Sequence, residues 1–296
     1  MKKKIIEFFN ENIRNNLNKK HLIFGQNITK GSRISGMTNF LDKLKNLEKI
    51  NTQNSENSLI GFGLGLMVSG RDSIYFVKQL DFILLGLDHL VNTVNSLKLE
   101  KLKNNFSIIT YIVDSGYEGP QSRLHNLQDV SSLTSCNCIY LIFPNDIKYN
   151  LKKIKKNGVN IFCLSQKYSK SNFDLKYSRN YNKGDIYQYN SGKKLTIVAV
   201  GFSAYHVQNL IEQNVYKDCD FFVICNPSTE NMKPIIKSAI KTKNLHIYDD
   251  SRVKYKNISN LIIMISKNTK IKINKYFRKD TIKDFYVNSD EFKPTK

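Results

Sequence analysis

Short apolar runs alternate with helix-spaced segments along almost the whole chain, and this alternation restricts the fold more than any other feature. Residues 74–77, 106–113, 139–143 and 160–164 read as buried strands. Residues 82–97, 127–135 and 146–156 between them read as helices, and 59–68 is an apolar stretch that holds Gly61, Gly63 and Gly65. A strand followed by a helix and another strand needs a crossover, and repeated crossovers build a parallel sheet. Upstream, Ile5, Phe8, Phe9, Ile13 and Leu17 predict an amphipathic helix over 4–19. A short strand is expected at 21–24, a Gly/Asn/Ser loop at 25–35 and a second short helix at 37–48. Further along, strands are expected at 195–200, 221–225, 245–248 and 261–265, and helices at 204–213 and 232–241.

At 296 residues the chain exceeds one ordinary core. Residues 166–193, rich in Tyr, Lys, Ser and Asn and without clear periodicity, read as a linker. The expected class is α/β with two domains, 1–165 and 194–296, each a mainly parallel sheet flanked by helices; the second is the shorter and ends in a charged tail from Lys267.

No apolar run approaches the roughly 20 residues that span a bilayer. Glu7, Asn10 and Glu11 interrupt the apolar stretch after Lys2–Lys4, so the start reads as the first helix of a cytoplasmic protein. Cys136, Cys138, Cys163, Cys219 and Cys225 are odd in number and lack metal-ligand spacing, which reads as buried reduced thiols. The net charge of +21 is spread along the chain together with abundant Asn and Ile. It accompanies no nucleic-acid module, so no nucleic-acid partner is expected.

Few residues suggest chemistry singly. Gly61, Gly63 and Gly65 miss the dinucleotide fingerprint and instead suit close packing of a helix on a neighbour. Ser203 lacks the second glycine of a nucleophile elbow. No His, Cys, Asp or Glu set has metal spacing, so no metal ligand is assigned to this chain. Glu56 is the one acid between Glu48 and Asp72 and abuts a long apolar stretch. Taken alone it suits first a helix N-terminus, where it complements the dipole, and second a carboxyl whose pKa an apolar pocket raises so that it shares a proton with a ligand. Phe82 suits either a core or a stacking face. His125 and Arg123 lie in a polar Gly/Pro loop, a common home of functional side chains. Arg123 can clamp a carboxylate or phosphate bidentately, or sit in solvent.

Three segments taken together carry a resemblance. They are Ser55-Glu56-Asn57-Ser58-Leu59-Ile60-Gly61-Phe62-Gly63-Leu64-Gly65, then Leu80-Asp81-Phe82 with Asp88-His89-Leu90-Val91-Asn92, and Gly119-Pro120-Gln121-Ser122-Arg123-Leu124-His125. Their order and separation resemble the β subunit of the thiamine diphosphate-dependent 2-oxo acid dehydrogenase family. That subunit joins a transketolase-like pyrimidine-binding domain to a transketolase C-terminal domain. The resemblance covers most of residues 5–165 and, more weakly, 195–251. It implies that Glu56 hydrogen-bonds the pyrimidine N1′ of thiamine diphosphate, that Phe82 stacks on the pyrimidine, and that His125 handles protons at the substrate. His89 stands where the family has Gln, Asn126-Leu127 follow His125 in place of Ser-Gln, and Arg123 is not a family signature.

The family's diphosphate signature, Gly-Asp-Gly with a later Asn, is absent; Gly184-Asp185 lies in the expected linker. The resemblance therefore implies that Mg2+ and the diphosphate sit on an α-type partner in an α2β2 heterotetramer, with a lipoyl acyltransferase as a further partner. The implied reaction is decarboxylation of a 2-oxo acid with transfer of the acyl group. The alternative is half of a split transketolase-like ketol or acyl transferase in sugar or surface-polysaccharide biosynthesis. A third reading is a non-catalytic α/β protein with degenerate motifs.

Overall fold

The computed structural model describes residues 3–97, 101–115, 127–173, 175, 178–251, 258–266 and 270–277. The chain divides into two compact units, Met1–Val113 with Leu133–Asp174, and Asp114–Ser132 with Leu175–Lys296. Each is built on a six-stranded sheet.

In the first unit the sheet runs β2-β1-β3-β4-β6-β5 and every pairing is parallel. The strands are β1 (Leu22–Gly25), β2 (Glu48–Asn51), β3 (Ser73–Gln79), β4 (Asn105–Ile112), β5 (Asn137–Leu141) and β6 (Gly158–Ser165). Both faces are covered, which explains why the inner strands are continuously apolar rather than alternating. On one face Ile23, Ile74, Phe76, Ile109 and Phe162 form a core with Ile5, Phe9 and Ile13 of α1 (Ile5–Asn16). Ile147 of α5 (Pro144–Asn150) joins them. Asp146 starts α5 by accepting the Ile142 and Phe143 amides at 2.8 and 2.7 Å, and Pro144 supplies the preset φ of a first turn. On the other face, α2 (Glu56–Val68) packs against β3 and β4.

Two readings of this unit change. Only Asn39–Lys43 of the expected 37–48 helix winds, as a single 3-10 stretch burying the adjacent Phe40 and Leu41. Glu48–Asn51 then extends as the edge strand β2, held by backbone pairing with no apolar pattern to announce it. Residues 80–96 are helical as expected, but in three pieces: a 3-10 stretch Leu80–Gly86, a π-helical turn His89–Thr93 and the short α3 (Val94–Ser96).

The second unit's sheet runs β12-β11-β9-β10-β8-β7. Its strands are β7 (Arg179–Tyr181), β8 (Ile186–Asn190), β9 (Leu195–Val200), β10 (Cys219–Ile224), β11 (Asn244–Asp249) and β12 (Lys272–Phe277). β12, β11, β9 and β10 pair parallel, whereas β10-β8 and β8-β7 are antiparallel. The segment read as a linker therefore contributes a hairpin, turned by Asn182, Lys183 and Gly184 at φ of 53°, 55° and 89°. Gly184-Asp185 is used structurally there, since the Asp185 carbonyl accepts the Cys225 amide at 2.8 Å.

Residues 261–265, expected as a strand, lie in helix α8 (Ile258–Ser266). Ile258, Ile262 and Ile263 turn inward at helical spacing beside Ile235 and Ala239 of α7 (Lys233–Thr242), while Leu261 and Met264 face out. Helix α6 (Ser203–Glu212) also packs on the sheet, against β9 and β11. The charged tail supplies the edge strand β12, whose Lys272 and Lys275 are exposed, a common protection of a sheet edge. The short α4 (Gln128–Ser131) belongs to this unit because Gln128 donates to the buried Asp249 carboxylate at 3.0 Å and accepts the Ile258 amide at 3.2 Å. Ser259 donates to the same carboxylate at 2.5 Å.

All five cysteines are free and buried, as expected, and burial pushes the Cys136 thiol up to about 12. No helix among the described residues is long and apolar enough to cross a membrane.

A buried carboxylate ties α7 to the sheet. Asp220 on β10 accepts hydrogen bonds from Ser238 at 2.5 Å, Lys241 at 2.8 Å, the Gly192 amide at 2.9 Å and Gln188 at 3.1 Å. Burial works against its charge, but the bonds from Lys241, Ser238 and Gly192 outweigh it and hold its pKa below the usual carboxylate range. A lowered pKa stabilises the fold above the unfolded value of about 3.9, and that stability is lost as pH falls through the lower folded value. Asp220→Asn should therefore be less stable than wild type at neutral pH, with the gap closing below about pH 4 in urea titrations. A gap independent of pH would contradict the charge's role.

Candidate active site

The chain leaves β2 at Asn51, turns, and enters α2 with Ser55 as its N-cap and Glu56 in the first turn. Glu56 is half-buried. The helix behind it is apolar around its circumference: Ile60, Leu64 and Met67 are buried, yet Phe62 is 43% and Val68 53% exposed.

The glycines of α2 are matched to what lies against them. A side chain at Gly63 would place its Cβ 2.2 Å from Cε2 of Phe106 on β4, so the missing side chain lets the helix lie on the sheet. At Gly61 the same atom would come within 2.9 Å of His89 Nε2, so the imidazole rests on the helix backbone. Gly86 repeats the device from the opposite side, since a Cβ there would lie 2.5 Å from Ile60 and 3.3 Å from the Glu56 carbonyl oxygen. Close packing was the sequence expectation for Gly61, Gly63 and Gly65; it holds at the first two and not at Gly65, where no atom lies within 4 Å of an added Cβ.

Against α2 runs the segment that carries Phe82, half-buried in the 3-10 stretch, and His89, which opens the π-helical turn. Single π turns are uncommon and frequently mark functional sites. His89 Nδ1 lies 3.2 Å from Thr93 Oγ1, a contact that fixes the ring's orientation.

Tyr75 on β3 was not singled out in the sequence. Its ring stacks on Phe24 at 5.2 Å and 9°, and Phe24 in turn meets Phe62 edge-on at 5.2 Å. Burial, and after it the negative charge of Glu56, hold the Tyr75 phenol protonated well above its ordinary range. Tyr75 therefore belongs to the surroundings of Glu56 as a neutral hydroxyl. The available signal was a polar-tipped residue within the otherwise apolar run Ile74-Tyr75-Phe76-Val77.

The structure thus gathers Glu56, Tyr75, Phe82 and His89 on three neighbouring elements, α2, β3 and the 80–93 segment. Arg123 and His125 lie outside the described residues. Among the described residues, no three His, Cys, Asp or Glu side chains come together as a metal-binding set.

No protein-family model matches the sequence. A solved chain described as "Split gene transketolase, inactive beta4 tetramer" superposes with a TM-score of 0.67 at 13% sequence identity, over 99% of this chain and 94% of that one. The likeness is one of fold: two domains, each an α/β sheet flanked by helices, in a transketolase-like fold.

Proposed function

We propose that this chain is the pyrimidine-side subunit of a split thiamine diphosphate enzyme, active only with an α-type chain that holds Mg2+ and the diphosphate. The observation that carries the reading is Glu56, a half-buried acid opening a helix that is apolar from Leu59 onward, beside a phenol that stays neutral and a segment presenting an aromatic ring and an imidazole. These residues fit an aminopyrimidine: a carboxyl for a ring nitrogen, and Phe82 as an apolar face for the ring. The sequence lacks the Gly-Asp-Gly and later Asn of a diphosphate site, which supports a partner chain as the holder of that end.

Bound thiamine diphosphate supplies a carbon nucleophile that also acts as an electron sink for carbon–carbon cleavage. This chain's part is to hold a proton at the pyrimidine with Glu56, to orient the ring with Phe82, and to meet the substrate with His125 and Arg123. The favoured reaction, from the motif resemblance, is decarboxylation of a 2-oxo acid with acyl transfer, to a lipoyl acyltransferase or another acceptor, in the cytoplasm. A split transketolase-like ketol or acyl transferase in sugar or surface-polysaccharide synthesis is the second reading, and the description of the structural neighbour favours it. Carbon dioxide release from 2-oxo acids, against turnover of ketose phosphates, separates the two.

A partner is also supported by what α2 and the next segment leave uncovered. Phe62, Val68, Leu84 and Leu85 are 43%, 53%, 48% and 63% exposed. A helix apolar all round belongs inside a larger assembly. An α2β2 heterotetramer would cover this surface, and self-association of this chain alone would parallel the neighbour's inactive β4 state.

Calorimetry with thiamine diphosphate and Mg2+ tests the split. Saturable binding is expected only after co-expression with the α-type chain. Equally tight binding to this chain alone would overturn the shared site, and no binding by the assembled complex would overturn the thiamine reading itself.

A further inference from the structure

The second unit carries a cavity that thiamine chemistry does not use. It opens between the β7-β8 hairpin and α7 and has a volume of about 900 Å3, within the range of small-ligand pockets. Tyr181 and the buried Phe222 form its floor, their ring centroids 6.3 Å apart and tilted by 39°. Around them stand Arg179, Lys193, Lys233 and Lys237. None of the four has a carboxylate within ion-pair distance among the described residues.

The acids that line the cavity, Asp218 and Asp220, leave its cations in excess. Asp220 is taken up by Lys241, Ser238, Gln188 and the Gly192 amide, and Asp218 accepts the Lys193 amide at 3.0 Å. The first turn of α7 contains no acidic residue, so its partial positive charge adds to that of the lysines. Lys233 and Lys237 sit one turn apart, about 6 Å along the helix, a spacing that suits two phosphates of a polyphosphate chain. Scattered surface lysines attract any polyanion. Here the cations ring an aromatic floor inside a concavity, which asks for a ligand that has both phosphates and a flat ring.

We infer that this cavity binds a nucleoside di- or triphosphate, with its phosphates on Lys233, Lys237 and Arg179 and its base on Tyr181. The site is separate from the residues around Glu56 and does not depend on the thiamine reading.

Calorimetry on the full chain at physiological salt, with ATP, ADP, inorganic triphosphate and adenosine as titrants, tests it. ATP should bind saturably and about tenfold or more tighter than inorganic triphosphate, the difference that base stacking on an aromatic ring supplies. Tyr181→Ser should erase that difference while leaving triphosphate binding in place. Lys233→Glu with Lys237→Glu should weaken ATP about a hundredfold, as expected for two lost charge-assisted contacts. Both lysines are exposed, so the melting temperature should hold, and so should partner-dependent thiamine diphosphate binding. Three outcomes would each overturn the site: no saturable ATP binding, equal affinity for ATP and triphosphate, or ATP binding that survives the double charge reversal.

Discussion

Glu56→Gln should lower kcat of the assembled enzyme by about 10²- to 10⁴-fold, the contribution of a positioned acid–base group, with little change in melting temperature. The two parts of this result separate the two roles open to an acid at the start of a helix. A carboxylate that only complements the helix dipole contributes about 0.3–1 kcal/mol of stability and nothing to turnover. Glu56 makes no ion pair or side-chain hydrogen bond among the described residues, so the fold gains little from it directly. Its surroundings are instead arranged around its charge and backbone, with the neutral Tyr75 phenol beside the one and Gly86 against the other. A loss of stability without loss of turnover would assign Glu56 to the dipole.

Gly63→Val should be the most damaging single change in α2. The new Cβ would overlap the Phe106 ring at 2.2 and 2.4 Å, and Phe106 is fully buried, with Phe24 stacked 6.3 Å away. Overpacking of this kind costs about 1–3 kcal/mol, which for a chain of this size lowers the melting temperature by roughly 2–12 °C. Gly65→Ala is the control in the same helix. With nothing within 4 Å of its added methyl, it should raise stability by up to about 1 kcal/mol through helix propensity alone. Equal effects at the two positions would show that the glycines are not read by their neighbours.

The first sheet was legible because its inner strands are buried on both faces and so stand out as unbroken apolar runs. Glu56 at the start of α2 was legible for a related reason, as a lone acid against a long apolar stretch. Elements at the edges were not. β2 and β12 are held by backbone pairing and carry Glu, Lys and Asn where a pattern would be needed. The hairpin of β7 and β8 was hidden among Tyr and Asn whose rings and amides pack only once the sheet exists, as Tyr181 does through its hydroxyl bond to Gln188 at 3.0 Å. The five apolar residues 261–265 fit a strand or a helix equally, and only the inward turn of Ile258, Ile262 and Ile263 decides for the helix. Tyr75 and the contact of His89 with Gly61 depend on which face of β3 and which turn of α2 come together, a long-range matter that local pattern does not carry. The break of residues 80–96 into three helical types has the same origin. Gly86 leaves no room for a Cβ beside Ile60 and the Glu56 carbonyl, a close approach that only the packed fold reveals.

The central claim is that Glu56 holds a proton at the pyrimidine of a cofactor shared with a partner chain. Circular dichroism of the co-expressed complex loaded with thiamine diphosphate and Mg2+, wild type against Glu56→Ala, tests it most directly. A band from the imino form of the aminopyrimidine is expected in wild type and should vanish in Glu56→Ala while the complex stays assembled. The same band persisting in Glu56→Ala would contradict the account.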